Sequence, residues 1–350
     1  MEKERIDPRT KQHLLRQKEH RRDGLGQRRD GRAAARRVPG PSKVDLRGVE
    51  PGSPGWEEAC AAVSASMEAL GAVLVVHDAL GPELRQALFG RAMPEFFALP
   101  TEVKQGLVSG LVNGYIGPRP KAPAYESVRI WETTKGGRVR NVGDVLWPSH
   151  GNPSFCDTVA TFAKNMMSLQ QKVGMMILEG LSVREEQIVS HLQSLNYSVR
   201  LSHYGLSDTG DGMFMDPHRD STVLSMIVQH DVEGLEVQAE DGSWIAVPPE
   251  TDTVAVVAGD LLEVVTNGRV PASVHRVRAP SGRKRLSAQV VSKPLDGLTV
   301  RPLDELVDVD HPLLYNPCNF DEYIRFRFAG DGRKLSHPLK GFCGVIKDEQ

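Results

Sequence analysis

The chain has 350 residues, 43 Lys/Arg against 45 Asp/Glu, a net charge of −2 and an apolar fraction of 40%. That balance suits a soluble globular protein with material for a large core. No run approaches the roughly 18 apolar residues of a membrane span, and no apolar stretch follows the charged start as in a secretory signal. Four scattered cysteines without Cys-x-x-Cys spacing point to reduced thiols in the cytoplasm or nucleus rather than disulfides or a zinc site.

The charge is uneven. Residues 1–43 hold 14 Lys/Arg and six Asp/Glu, and the remainder holds 29 against 39. The segment reads as a basic, disordered tail, neither acid-poor nor serine-rich enough for a transit peptide. Ordered structure is expected from about Ser42. Trp56, Cys60, Val63, Met67 and Leu70 recur at helical spacing, with Gly71 placed to end the helix. AVLVVH (72–77) reads as a strand, and Pro82 opens a helix running toward Phe96-Phe97, bent at Pro94. Residues 106–153 are Gly- and Pro-rich and read as loops and short strands over a pocket mouth. The stripe from Phe155 through Val173 to Ile177 predicts the longest helix, with an apolar face for the core.

From Ser198 the pattern changes to short β-branched runs punctuated by Gly, Pro and Asp: VRLSHYG, STVLSMIVQ, LEVQ, WIAVP, TVAVVAG, LLEVVTNG, VHRVRAP and RLSAQVV. Eight such strands predict a jelly roll of antiparallel sheets. Asp304 to Leu314 reads as helix or loop, followed by the aromatic YIRFRF.

His218-Arg219-Asp220 lies in this region. On an extended segment His218 and Asp220 share one face, because side chains alternate with period two. His275 follows 57 residues later, and a jelly roll folds distant strands face to face. Two imidazoles and one carboxylate form the facial ligand set of non-haem Fe(II), which leaves the opposite coordination face open. A lone His-x-Asp among 11 histidines is weak evidence; the ordered set with a distal His and then Arg285-x-Ser287 is strong. KRLSAQVV places Arg285, Ser287 and Gln289 on one face, which needs a polar ligand to satisfy it. The Arg285 guanidinium, the Ser287 hydroxyl and the Tyr204 phenol suit the far carboxylate of a dicarboxylic co-substrate.

These motifs resemble the plant-type 2-oxoglutarate/Fe(II) dioxygenases across about residues 40–345. PEFFALPTEVK, GYIGPRPKAPAYES (114–127), VEGLEVQ (232–238), GDLLEVVTNGR (259–269) and LKGFCGV (339–345) resemble the subgroup of glucosinolate side-chain dioxygenases (the alkenyl- and hydroxyalkyl-producing type) and auxin-oxidising dioxygenases. The resemblance implies an α+β fold: a mainly β double-stranded β-helix, or jelly roll, with an α-helical N-terminal portion packed on it. It implies Fe(II) on His218, Asp220 and His275, and the C5 carboxylate of 2-oxoglutarate on Arg285 and Ser287 with Tyr204 assisting. It further implies O2 as the oxidant and ascorbate as a stimulant. Many members carry Asn-x-Tyr where this chain has Ser202-His203-Tyr204. His203 is expected to face away from the ligand.

The expected division is a tail (1–43), a helical portion with lid loops (44–195), an iron and 2-oxoglutarate core (196–300) and a C-terminal extension (301–350). The expected activity is hydroxylation or oxidation of a small-molecule plant hormone or specialised metabolite, coupled to decarboxylation of 2-oxoglutarate to succinate and CO2. Tyr115, Tyr125, Glu126 and Arg129 are candidate substrate contacts, and Arg119 or Arg129 would suit an acidic substrate. A nucleic-acid demethylase and a catalytically silent binding protein are the alternatives. The acidic body disfavours a nucleic-acid partner, so a monomeric enzyme with a small-molecule substrate and no membrane partner is expected.

Overall fold

The computed structural model describes residues 40–107, 114–120, 122–133, 137–206, 212–280 and 282–346. The basic tail through residue 39 lies outside them. Among the described residues, eight strands form one sheet in the order Lys43–Asp45, Ala72–Val76, Thr253–Ala258, Leu224–Gln229, Arg285–Pro294, Leu195–Tyr204, Tyr125–Trp131 and Gly114–Ile116. Four more form a second sheet: Met213–His218, His275–Arg278, Leu235–Gln238 and Trp244–Ala246. Every pairing in these two sheets is antiparallel except that of the first two strands of the large sheet. The chain is an α+β jelly roll with a helical N-terminal part.

The large sheet has two covered faces. One packs on the helix Pro153–Gly180, at 28 residues the longest described helix, whose Phe162, Met166, Val173 and Ile177 are buried with Val199, Leu201, Val290 and Val256. Asn152 caps it by accepting from the Phe155 N–H. The buried Gln170 amide donates to the Leu224 and Val290 carbonyls at 3.3 and 3.1 Å. The other face turns toward the small sheet, where Ile227, Ala255 and Val257 meet Leu235 and Val237. The alternation in Arg285–Pro294 therefore sends Ala288 and Val290 to the helical layer and Arg285, Ser287 and Gln289 into the barrel.

The first helix spans Trp56–Leu70, with Gly71 as its left-handed cap, and Ala72–Val76 is a strand. The helix from Pro82 is interrupted earlier than Pro94: Pro82–Ala87 is α-helical, Leu88–Ala92 is a π turn, and Met93–Phe97 resumes the α form. A proline lacks the N–H that would bond one turn back, so the preceding turn absorbs the mismatch. Two expectations change, and one further strand is added. LLEVVTNG is not a strand: Asp260–Val265 is a helix, and Leu261, Leu262, Val264 and Val265 are all buried at helical spacing. The region 106–153 contains a helix, Arg138–Leu146, as well as loops and strands. The strand Met213–His218 had no clear sequence signature, because Asp216-Pro217 breaks its alternation.

Candidate active site

The two histidines are direct cross-strand partners in the small sheet. Their rings stand 4.3 Å apart between centroids. Asp220 does not share the strand of His218, which ends at that residue; it sits in the loop that follows. The loop nevertheless turns its carboxylate back, placing Oδ1 3.8 Å from His218 Nε2 and Oδ2 3.9 Å from His275 Nε2. Two ligands bonded at about 2.1 Å can stand at most about 4.2 Å apart across one ion, so both separations fit a shared metal. Among the described residues this trio is the cluster whose ligand atoms converge in that way.

The second nitrogen of each ring is used. His218 Nδ1 lies 2.8 Å from the Asp216 carbonyl, and His275 Nδ1 lies 3.2 Å from that of Ser273. A carbonyl only accepts, so each Nδ1 carries the proton and each Nε2 presents a lone pair to the cluster. Burial, then the neighbouring His275, lowers the His218 pKa to about 4. Burial pushes the Asp220 carboxyl up, but His275, His218, the Ser225 hydroxyl and Arg129 outweigh it and hold the group well below the usual carboxylate range. Ser225 Oγ donates to Asp220 Oδ2 at 2.5 Å. A neutral His218 imidazole beside an ionised carboxylate is a donor state that suits a divalent cation.

Deeper in the same chamber lies Arg285, 1% exposed. Its Nη2 donates to Gln229 Oε1 at 2.9 Å, while Nε and Nη1 have no partner. Buried cationic donors left unpaired are costly. They fit a carboxylate that arrives as a ligand, and a guanidinium offers the two-pronged geometry for it. Ser287 lines the chamber beside it, and the Tyr204 ring lies under the guanidinium at 4.6 Å. Gln229, which sequence reasoning missed, fixes this arginine: its Oε1 also accepts from Leu235 N–H, and its Nε2 donates to the Val247 carbonyl. Its one signal was a lone amide closing the apolar strand LSMIVQ.

Above the metal trio the chamber opens into a cavity of about 920 Å³, sharing Arg200, Met215, His218 and Asp220 with it. Phe214, Phe320, Ile324 and Phe328 form apolar walls, and Arg119 and Arg129 also line it. Arg129 and Arg200 are direct cross-strand partners. Arg200 donates to the Tyr125 hydroxyl at 2.7 Å. Arg129 has no hydrogen-bond or ion-pair partner among the described residues, and burial together with Arg200 lowers its pKa to about 10.

The other candidate contacts lie elsewhere. Period-two alternation in Tyr125–Trp131 turns Glu126 outward, where it accepts from Tyr115 Oη and Lys104 Nζ, both at 2.7 Å. Tyr115 packs edge-on against Phe96 in the helical layer. Tyr125 points inward, but its hydroxyl is engaged by Arg200 and by Ser202 at 3.3 Å, and its ring leans on Tyr204. His203 faces outward, beside Glu126 and the Phe97 ring. Sequence reasoning also missed the cavity wall on helix Phe320–Ala329, which contains YIRFRF.

A jelly roll that presents two imidazoles and a carboxylate below an open cavity, with a carboxylate anchor beneath, defines a non-haem iron oxygenase. The family model of the 2OG-Fe(II) oxygenase superfamily matches residues 190–294. The Arabidopsis thaliana protein named "Probable 2-oxoglutarate-dependent dioxygenase AOP1" is 33% identical over 293 residues, 81% of this chain and 95% of that protein. The crystal structure of the rice dioxygenase for auxin oxidation superposes with a TM-score of 0.74 at 25% identity, covering 87% of this chain and all of that one. The structure of JOX2 in complex with 2OG, Fe and JA matches with a TM-score of 0.72 at 21% identity, over 88% and 91% of the two chains, and shows the shared fold. This chain belongs to the 2-oxoglutarate/Fe(II)-dependent dioxygenases. It is an oxidoreductase that uses iron, 2-oxoglutarate and O2. Among its described residues no helix is long and apolar enough to cross a membrane.

Proposed function

We propose that His218, Asp220 and His275 hold Fe(II), that Arg285 and Ser287 with Tyr204 bind the C5 carboxylate of 2-oxoglutarate, and that the enzyme oxidises a C–H bond of a small, largely apolar carboxylic acid of the plant-hormone or specialised-metabolite type. The observation that carries the substrate class is Arg129, a guanidinium that lines the cavity over the metal trio, leans on the Trp131 ring and has no hydrogen-bond or ion-pair partner among the described residues. The rice relative's name, auxin oxidation, agrees with an acidic substrate. An arginine-tipped apolar cavity of about 920 Å³ suits a small molecule better than a polynucleotide.

Bound iron and 2-oxoglutarate supply the oxidising power, because decarboxylation of 2-oxoglutarate to succinate and CO2 in the presence of O2 is coupled to oxidation of the substrate. The protein's part is placement. Arg285, held by Gln229, fixes the far end of the co-substrate so that its other end reaches the metal trio. Arg129 and Arg200 would hold the substrate's charge, leaving its apolar body against Phe214, Phe320 and Phe328 and excluding water from the reacting carbon. In this reading residues 44–195 supply the outer support and lid loops, 196–300 the catalytic core, and 301–350 the closing wall.

Succinate release with iron and 2-oxoglutarate supplied tests the substrate class. Aromatic and alicyclic carboxylic acids are expected to stimulate it, and their methyl esters to fail. Equal stimulation by acid and ester would overturn the acidic-substrate reading.

A further inference from the structure

The loop that carries Asp220 is gripped from behind by the C-terminal part of the chain. Arg327, on the helix Phe320–Ala329, donates through Nη2 to the Arg219 carbonyl at 2.5 Å and through Nη1 to Ser221 Oγ at 2.7 Å. One guanidinium thus bonds to the residues immediately before and after the carboxylate ligand. The same Nη1 meets Asp260, which is 3% exposed and also accepts from Tyr323 Oη at 2.6 Å. Asp260 closes the frame from the other side: its N–H donates to the Asp220 carbonyl at 2.8 Å, and Leu261 N–H donates to that of Thr222 at 3.0 Å. Gly259 permits this approach, since a Cβ there would lie 2.1 Å from the Thr222 carbonyl oxygen.

The helix has a second task on an adjacent stripe. Phe320, Ile324 and Phe328 recur every four residues and wall the outer cavity. Tyr323 and Arg327, also four apart, reach Asp260. One ten-residue helix therefore carries both the apolar wall and the clamp, and Arg327 itself also lines the cavity.

We propose that Arg327 is a positioning residue for the metal centre, fixing the backbone on both sides of Asp220 and tying the place of that ligand to the wall of the substrate cavity. The proposal rests on the assignment of Asp220 as a metal ligand. A lysine could keep the charge beside Asp260, but its three N–H groups share one nitrogen, so it cannot reproduce the contacts that Arg327 makes from two separate nitrogens.

The test is an anaerobic titration of the iron-free, full-length protein with Fe(II) in excess 2-oxoglutarate, read by the visible charge-transfer absorption of the chelate, with circular dichroism as the check on folding. Arg327→Met is expected to raise the apparent Kd for Fe(II) at least about tenfold, and Arg327→Lys at least about threefold. A merely structural role would lower the melting temperature and leave the iron affinity of the folded protein unchanged. Folded Met and Lys variants that bind Fe(II) as tightly as the parent overturn the proposal. If the Met variant does not fold, the Lys variant decides on the same criterion. Asp220→Ala in the same titration separates the two assignments: parent-like affinity there means that the metal site, rather than the clamp, was wrongly placed.

Discussion

The inner chamber and the outer cavity meet at Arg200, Met215, His218 and Asp220, yet they are built on opposite plans. The inner chamber draws its ligand-facing groups from regular strands and the short loop of Asp220, and most of its polar atoms have protein partners. The Arg285 Nε and Nη1 atoms, buried and without a hydrogen-bond partner among the described residues, point to an anionic guest. The outer cavity draws its walls from Ile116, Arg119, Pro120 and Ala122, from the strands Tyr125–Trp131, Leu195–Tyr204 and Met213–His218, and from the helix Phe320–Ala329 far along the chain. Its surface is mostly apolar, and the Arg129 guanidinium has no hydrogen-bond or ion-pair partner among the described residues. A chamber built this way admits one co-substrate, whereas the cavity can change its guest by changing a few side chains.

Substitutions in the chamber should strike every substrate alike. Asp220→Ala removes the anionic ligand and should abolish turnover with iron and 2-oxoglutarate supplied; full activity would sink the metal assignment. Arg285→Lys keeps the charge but loses the planar fork, so the apparent KM for 2-oxoglutarate should rise beyond tenfold, about 1.4 kcal/mol. An unchanged KM would remove Arg285 from its role. Substitutions in the cavity should discriminate. Arg129→Gln should raise the KM for an acidic substrate roughly tenfold, the scale of a charge-assisted contact worth about 1.5 kcal/mol, while leaving the KM for 2-oxoglutarate alone. If both constants moved together, the line between the two regions would be drawn in the wrong place.

The smallest effect is with pH. In the metal-free protein His77, His191 and His218 each have a pKa lowered by burial to about 4, from 6.5. Each is neutral in the fold and takes up its proton more readily when unfolded. The stability they contribute is full above pH 6.5 and falls as pH drops from there to 4. Asp260 works the other way: burial raises it to about 6, so its contribution is full below pH 3.8 and is lost as pH rises through 6. His230 and His337 are lowered in the same sense, so the histidines outweigh Asp260 and the melting temperature should fall from pH 7 to pH 4.5, measurable by scanning calorimetry. His218→Asn should make that fall shallower; an unchanged slope would argue against burial of a neutral His218.

The sequence made the chamber legible because its chemistry is concentrated. Arg285, Ser287 and Gln289 follow the two-residue period of one strand, and the metal trio uses residue types with few other reasons to recur in that order. The loop position of Asp220 escaped notice because His-x-Asp reads the same in a strand and in a turn. Asp260–Val265 was hidden by β-branched residues that suit a strand locally and were overruled by burial on several sides. The cavity was the least legible part. Phe328 and Arg129 are brought together only by the closed fold, and neither lies in a motif. Tyr115 and Glu126 were within reach by sequence, but pleating turned Glu126, and Tyr115 with it, to the far side of the sheet.

Gly234 stands in the VEGLEVQ segment, where a Cβ would come within 3.0 Å of Arg285 Nε and 3.1 Å of its Cδ. Neither a ligand nor a hinge, it acts as a spacer for the guanidinium. A single-codon change to alanine would leave the strands intact and press the anchor out of line. The lineage of such a protein would keep its fold, its His-Asp-His cluster and its arginine, and yet drift toward silence through a methyl group that touches no substrate.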